Sequence, residues 1–202
     1  MCIGRCNFLL VGNSMRTSGD FSLNDLPGAG RMDVACRCVT SSLLLSHGIR
    51  NNISLYIHML GEPDPPKTLL FKGENMKYLS PDERSTASLI KKALSLKVSR
   101  SWIPSTPGVF VSRLTLDEIL DDLSEEGEIF LLDEDGKDIR DVELKGDISF
   151  VLGDHLGLTD PQKKLVRNKC TECVSVSPLS LHADQCIVIV LNELDRLQEK
   201  RC

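Results

Sequence analysis

The chain lacks the glycine-rich signatures of the common nucleotide enzymes. No G-x-G-x-x-G follows its first apolar run, and no G-x-x-x-x-G-K-[ST] occurs anywhere in its 202 residues. Such loops hold phosphates on backbone amides at a helix start, so classical dinucleotide and nucleoside-triphosphate chemistry is disfavoured. There is no G-x-S-x-G elbow to present a serine nucleophile. No apolar run approaches the roughly 18–20 residues that a membrane span needs. A basic stretch followed by an apolar one is missing from the N-terminus, so no secretory leader is expected and the cytoplasm is the expected location. Of the eight cysteines, only Cys170-Thr-Glu-Cys173 forms a C-x-x-C. A structural zinc site needs a second pair or a His partner at matching spacing. No metal is therefore expected, and in a reducing compartment the thiols stay free.

What the chain does have is an uneven charge. Residues 1–100 hold 13 Lys/Arg against 8 Asp/Glu, whereas residues 101–202 hold 11 against 21. This asymmetry suggests a basic face on one half and a different task for the other. The 14 acidic residues of segment 117–147 read as a solvated face with its loops. The length fits one domain.

Short apolar runs alternate with helical patterns. Cys6–Val11, Ile53–Met59, Thr68–Phe71, Val109–Arg113, Ile129–Leu132, Ile148–Leu152 and Val174–Ser177 read as strands. Met32, Ala35, Val39 and Leu43 recur at three- and four-residue steps and predict a helix over Arg31–Ser46, closed by Gly48. Ser80-Pro81-Asp82-Glu83 reads as a helix start with Ser80 as cap, the helix running to Leu94. Thr115 followed by Glu118 predicts a capping box for a helix to Leu123. Ser99–Gly108 reads as a linker, Asp133–Gly136 as a turn, and helices are expected from Asp160 and over Ala183–Leu197. This order implies an α/β fold with a mainly parallel sheet.

In such a sheet the loops at the carboxyl ends of the strands collect ligands. Three of them stand out: after Leu132, at Leu152-Gly153, and through Ser175–Cys186. Backbone groups with leucine walls suit an adenosine-bearing cofactor that has no triphosphate. Arg31 follows the turn Pro27-Gly28-Ala29-Gly30 and is a candidate for a phosphate or base-edge contact through its forked guanidinium. Arg31 and Arg37 lie six residues apart and would not share a helical face. The plain alternative is a solvated helix start with an Asp33–Arg37 pair. His182 and Cys186, four apart, are either a Cys–His pair or the lining of a pocket, with Cys186 packed as a small apolar group.

The segments Asp25–Val39 (DLPGAGRMDVACRCV), Leu45–Arg50 (LSHGIR), Ser80–Leu94 (SPDERSTASLIKKAL), Ser149–His155 (SFVLGDH) and Pro178–Arg196 (PLSLHADQCIVIVLNELDR) together are specific. They make the chain resemble the archaeal tRNA pseudouridine N1-methyltransferases of the knotted, SPOUT-type superfamily. That resemblance implies a single SPOUT methyltransferase domain over residues 1–202, an α/β parallel sheet flanked by helices, and a deep C-terminal trefoil knot, an exception to the unknotted rule. Residues 1–100 would be the RNA-facing half and 101–202 would hold the knot. It also implies S-adenosylmethionine as cofactor, tRNA as partner, a homodimer, and methylation of N1 of the T-loop pseudouridine at position 54.

By the same resemblance, Leu132, Gly153, Ser175, Ser177, Leu179, Leu181 and Cys186 match the cofactor loops. Arg31, Asp33 and Arg37 match a motif expected near the RNA base and backbone, and Asp64 lies in a loop that brings a polar group to the site. Arg31 would stabilise charge on the base while Asp33 or Asp64 accepts the proton. Three other readings remain: the related rRNA pseudouridine methyltransferase, a non-catalytic RNA-binding protein of the same fold, and a metal-binding protein built on Cys170 and Cys173.

Overall fold

The computed structural model describes residues 3–199; Cys2 and Cys202 lie outside the described residues. The strand and helix order is β1 (Ile3–Gly12), α1 (Met32–Leu43), β2 (Leu44–Leu45), β3 (Gly48–Ile49), β4 (Ile53–Met59), β5 (Lys67–Lys72), α2 (Glu83–Leu94), β6 (Ile103–Thr106), β7 (Val109–Ser112), α3 (Leu116–Glu126), β8 (Glu128–Asp138), β9 (Gly146–Gly153), α4 (Asp160–Arg167), β10 (Glu172–Ser175) and α5 (Ala183–Glu199). Eight strands make one sheet in the order β10-β8-β9-β1-β4-β5-β7-β6. From β10 to β4 every pairing is parallel, and from β4 to β6 every pairing is antiparallel. The α/β class and the mainly parallel sheet are as the alternation predicts.

The parallel strands are apolar throughout because both faces are covered. On β1, Phe8 and Leu10 join the core beneath α1, α2 and α5, while Leu9 and Val11 join the one beneath α3 and α4. Register places Phe8 opposite Phe150 and Phe150 opposite Phe130. Their rings stack across three adjacent strands with centroids 5.8 and 5.5 Å apart, and all three are buried. Offset aromatic pairs of this kind add to the roughly 1.5–3 kcal/mol gained by burying each side chain.

Four expectations shift. Helix α1 stops at Leu43, and Gly48 belongs to the two-residue hairpin of β2 and β3 that follows. Helix α2 is capped by Asp82, whose carboxylate accepts from Ser85 N at 2.7 Å, two residues after the expected Ser80; Asp is as good a cap. The linker contains the edge strand β6, where Pro104 is tolerated because its missing N–H costs little at a sheet edge. Asp133–Gly136 is no turn but a bulge inside β8. Leu131 pairs with Cys173, and pairing resumes at Lys137 with Val174, so the intervening residues bow out. The capping box of α3 forms as expected between Thr115 and Glu118.

Candidate active site

A cavity of about 550 Å³ opens at the bulge of β8 and the carboxyl ends of β9 and β10. The bulge of β8 supplies Leu132, Asp133 and Glu134, and the end of β9 with the loop after it supplies Leu152 to Leu158. The segment from Val174 to Cys186, leading from β10 into α5, closes the third side. Leu132, Gly153, Ser175, Ser177, Leu179, Leu181 and Cys186, the seven residues singled out for a cofactor, all line this one cavity.

Local hydrogen bonds hold the walls. Ser175 Oγ donates to Ser177 O at 3.0 Å, and Ser177 Oγ accepts from Leu179 N at 3.0 Å, which folds the β10 loop on itself. Asn13 Nδ2 donates to Gly157 O at 3.1 Å, and Asn13 Oδ1 accepts from Gln162 at 2.7 Å. The end of β1 is thereby tied to the β9 loop and to α4. At Gly153 a side chain has no room, since a Cβ would lie 2.5 Å from the Gly157 carbonyl carbon. Asp133 is held by Lys163 at 3.0 Å and Arg167 at 3.6 Å. Burial pushes its carboxyl up, but these partners outweigh burial and leave it below the ordinary aspartate value.

Arg31, Asp33 and Arg37 come together beside this cavity, which Val34 and Ala183 also line. Arg31 binds both oxygens of Asp33, through Nε and Nη2 at 3.0 Å each, and Arg37 Nη1 binds Asp33 Oδ2 at 2.9 Å. Two arginines six residues apart meet on one carboxylate because Arg31 is not helical. It caps α1 in the left-handed region, with φ 64° and ψ 41°, a conformation that costs a non-glycine residue about 1–2 kcal/mol. The Asp33–Arg37 pair of the plain alternative is present too, as part of this larger cluster. Arg37 also faces Glu83 of α2 at 3.4 Å and Asp184 of α5 at 3.5 Å. Burial pushes the Asp33 carboxyl up, yet the two arginines win and hold it below its usual value.

Asp64 sits elsewhere on the same edge of the sheet and is absent from the cavity wall. Both of its oxygens accept from Arg113 at 2.6 Å, and its N–H donates to Thr17 Oγ1 at 2.8 Å. Hydrogen bonds from Arg113 hold its carboxyl below the usual value. Both carboxylates expected to accept a proton are therefore engaged in ion pairs that oppose protonation.

His182 and Cys186 line the cavity but make no side-chain hydrogen bond to each other among the described residues; their link is Cys186 N to His182 O at 3.0 Å. Burial, followed by the charges of Asp184 and Glu134, raises the Cys186 thiol above its ordinary value, so it is not an activated thiolate. Sequence reasoning did not single out Asp133, Glu134, Asp154 or Lys163 as cavity residues. The acidic pair lay in what reads as a turn, and Asp154 lay unremarked within the Ser149–His155 motif. Among the described residues no three His, Cys, Asp or Glu side chains gather as metal ligands would, and no helix is long and apolar enough to cross a membrane.

Leucines and backbone groups thus line the cavity, and two arginines paired on Asp33 lie beside it. The chain belongs to the family described as putative SAM-dependent RNA methyltransferases, which it matches over residues 6–199. It is 45% identical over 193 residues to the tRNA (pseudouridine(54)-N(1))-methyltransferase of Methanococcoides burtonii, covering 94% of this chain and 96% of that one. To the enzyme of the same name from Methanosarcina acetivorans it is 47% identical over 199 residues, covering 96% and 93%. Its fold is similar to that of Archaeoglobus fulgidus Nep1 bound to S-adenosylhomocysteine, with a TM-score of 0.66 over 97% of this chain and 99% of that one, at 16% identity.

Proposed function

We propose that this protein methylates N1 of pseudouridine 54 in tRNA, with S-adenosylmethionine as methyl donor. The observation that carries the reading is the near full-length identity to relatives of that name, joined to one cavity lined by all the expected cofactor residues. The names of both relatives favour tRNA over the rRNA alternative.

The residues present fit the cofactor. A cavity of this size falls within the range of small-ligand sites, and Gly153 leaves backbone where a side chain would intrude. The acidic group at Glu134 suits a cationic ligand. Leu132, Leu179 and Leu181 would hold apolar parts of the cofactor, and the Gly153, Ser175, Ser177 and Cys186 positions its polar edges. When bound, it supplies an electrophilic methyl on a sulfonium.

Pseudouridine joins its sugar through carbon, which leaves N1–H on the ring free. Attack by N1 needs alignment and removal of that proton, not a covalent enzyme intermediate. Arg31 stabilises negative charge on the base, and Arg37 meets the RNA backbone. Asp33 then orients both arginines. Asp64 acts through its pair with Arg113 until substrate frees it; in the resting geometry neither carboxylate is a ready base.

The same reading includes a homodimer and a knotted C-terminus. Leu156 and Leu179, on the cavity rim, and Val188, on α5, are large apolar side chains left exposed, as a partner interface requires. The chain runs from β10 at the sheet edge back to α5, which packs against α1 and β1, a return path that threading would accommodate. Cytoplasmic residence follows from a tRNA substrate. Labelled S-adenosylmethionine incubated with tRNA transcripts carrying pseudouridine or uridine at the T-loop position tests the whole reading. Methylation is expected only with pseudouridine; transfer to uridine, or to neither, defeats it.

A further inference from the structure

Asp154 is the first residue past β9, and it is pinned everywhere except at one oxygen. Its N–H donates to Val11 O at 3.0 Å, and its carbonyl accepts from Gly157 N at 3.0 Å. Its Oδ1 accepts from Leu156 N at 2.9 Å. The side chain has no exposed surface, and His155 Nδ1 stands 3.8 Å from Oδ1, beyond hydrogen-bond range. Oδ2 is buried with no hydrogen-bond partner among the described residues. A buried carboxylate oxygen without a donor is costly, so its presence calls for a compensating charge.

Arg31 is a cation that feels its charge. The guanidinium is held in its charged form by the hydrogen bond and charge of Asp33, and the charge of Asp154 adds to that pull. Arg31 reaches Asp33 through Nε and Nη2, and its Nη1 makes no hydrogen bond among the described residues. The backbone couples the two residues as well. Asp154 hangs on the Val11 carbonyl near the end of β1, and the segment after β1 presses Ser14 O against Gly30, directly before Arg31. Ser14 Oγ also donates to Gly30 O at 3.4 Å.

We propose that Asp154 is a positioning residue for methyl transfer, whose buried charge draws the Arg31 guanidinium toward the cavity while its Oδ1 shapes the cavity wall. The assignment rests on the functional reading above and takes it further. One side chain then sets both the cofactor wall and the group that meets the base. Asp154 acts through Arg31 and needs no contact with substrate, which its complete burial would prevent.

Asp154→Asn keeps the size and the Oδ1 acceptor, removes the charge and turns the unpaired oxygen into an amide donor. Its effect should be measured alone and with Arg31→Ala, using a T-arm hairpin carrying one pseudouridine. Single turnover at saturating S-adenosylmethionine should slow on the order of 30-fold in Asp154→Asn, yet by less than about threefold when Arg31 is already Ala. Cofactor affinity, read by calorimetry, should stay within about threefold of wild type. Equal losses in both backgrounds overturn the proposal, and so does a loss confined to cofactor affinity. If Asp154→Asn does not fold, NMR of guanidinium rotation in Asp33→Asn gives the answer without turnover. Hindered rotation of Arg31 is expected there, because Asp154 takes over as partner; free rotation overturns the proposal. Failure of the wild type to methylate the hairpin defeats the functional reading alone.

Discussion

The two halves of the sheet end in different ways. From β10 to β4 five strands run in one direction, so their carboxyl-end loops converge on one edge, and the cavity and the paired arginines lie there. From β5 to β6 the strands alternate, and β6 turns into β7 through Pro107 and Gly108 alone. The antiparallel half gathers no comparable set of loops at the cavity. It buries Leu69, Phe71, Val109 and Val111, and it contributes Arg113 to hold Asp64. Strand direction, more than any motif, decides where a ligand site can be assembled.

The comparison can be broken at its core. Phe150→Ala empties the centre of the three-ring stack and is expected to cost about 4 kcal/mol in urea unfolding, against roughly 3 kcal/mol for Leu69→Ala in the antiparallel half. A reversed order would move the structural anchor to the other side. Acid offers a second route, through His58 on β4. Burial lowers its pKa from 6.5 to about 4, and its Nδ1 lies 2.8 Å from Thr68 Oγ1. The folded value is depressed, so between those two values the unfolded chain binds the proton first. Stability from this group is complete above pH 6.5 and is lost as pH falls toward 4, by at most about 3 kcal/mol. His58→Gln should flatten that part of the pH–stability curve; an unchanged slope would place the sensitivity on other groups.

Glycine substitutions separate the halves by function. Gly153→Val, in the cavity wall, should weaken S-adenosylmethionine binding roughly 100-fold, as displacements near 1 Å do. Gly108→Val, at φ 83° with a Cβ 2.7 Å from Met76 backbone, should cost about 1–2 kcal/mol of stability and leave cofactor affinity unchanged. Calorimetry on both variants checks this, and a matching loss of affinity at Gly108 would show that the halves are coupled. The smallest effect is expected at Cys170→Ser, under about 1 kcal/mol with methylation intact. Stoichiometric zinc in the wild-type protein would overturn that expectation and restore the metal reading.

Much of this was legible beforehand. The helix face of Met32, Ala35, Val39 and Leu43 is buried as its period requires, and the box at Thr115 forms as its spacing requires. The β8 bulge was not legible, because acidic residues with a glycine look the same in a turn as in a strand that parts from its neighbour. The meeting of Arg31 and Arg37 was also hidden. Helical geometry separates them, and only the left-handed backbone at Arg31 brings its guanidinium back to Asp33.

The sequence by itself determined the α/β alternation, the helix faces, and, through its quoted motifs, the methyltransferase family. These depend on periodicity and local chemistry, which a linear chain carries openly. Tertiary structure alone decided that seven separated residues line one cavity, that Asp33 and Asp64 are locked in ion pairs, and that Asp154 is buried with an oxygen to spare. Those facts arise from contacts between residues as much as 149 positions apart, such as Asn13 with Gln162, and strand order sets them. No local pattern encodes that order, because it is the packing of both sheet faces that selects it.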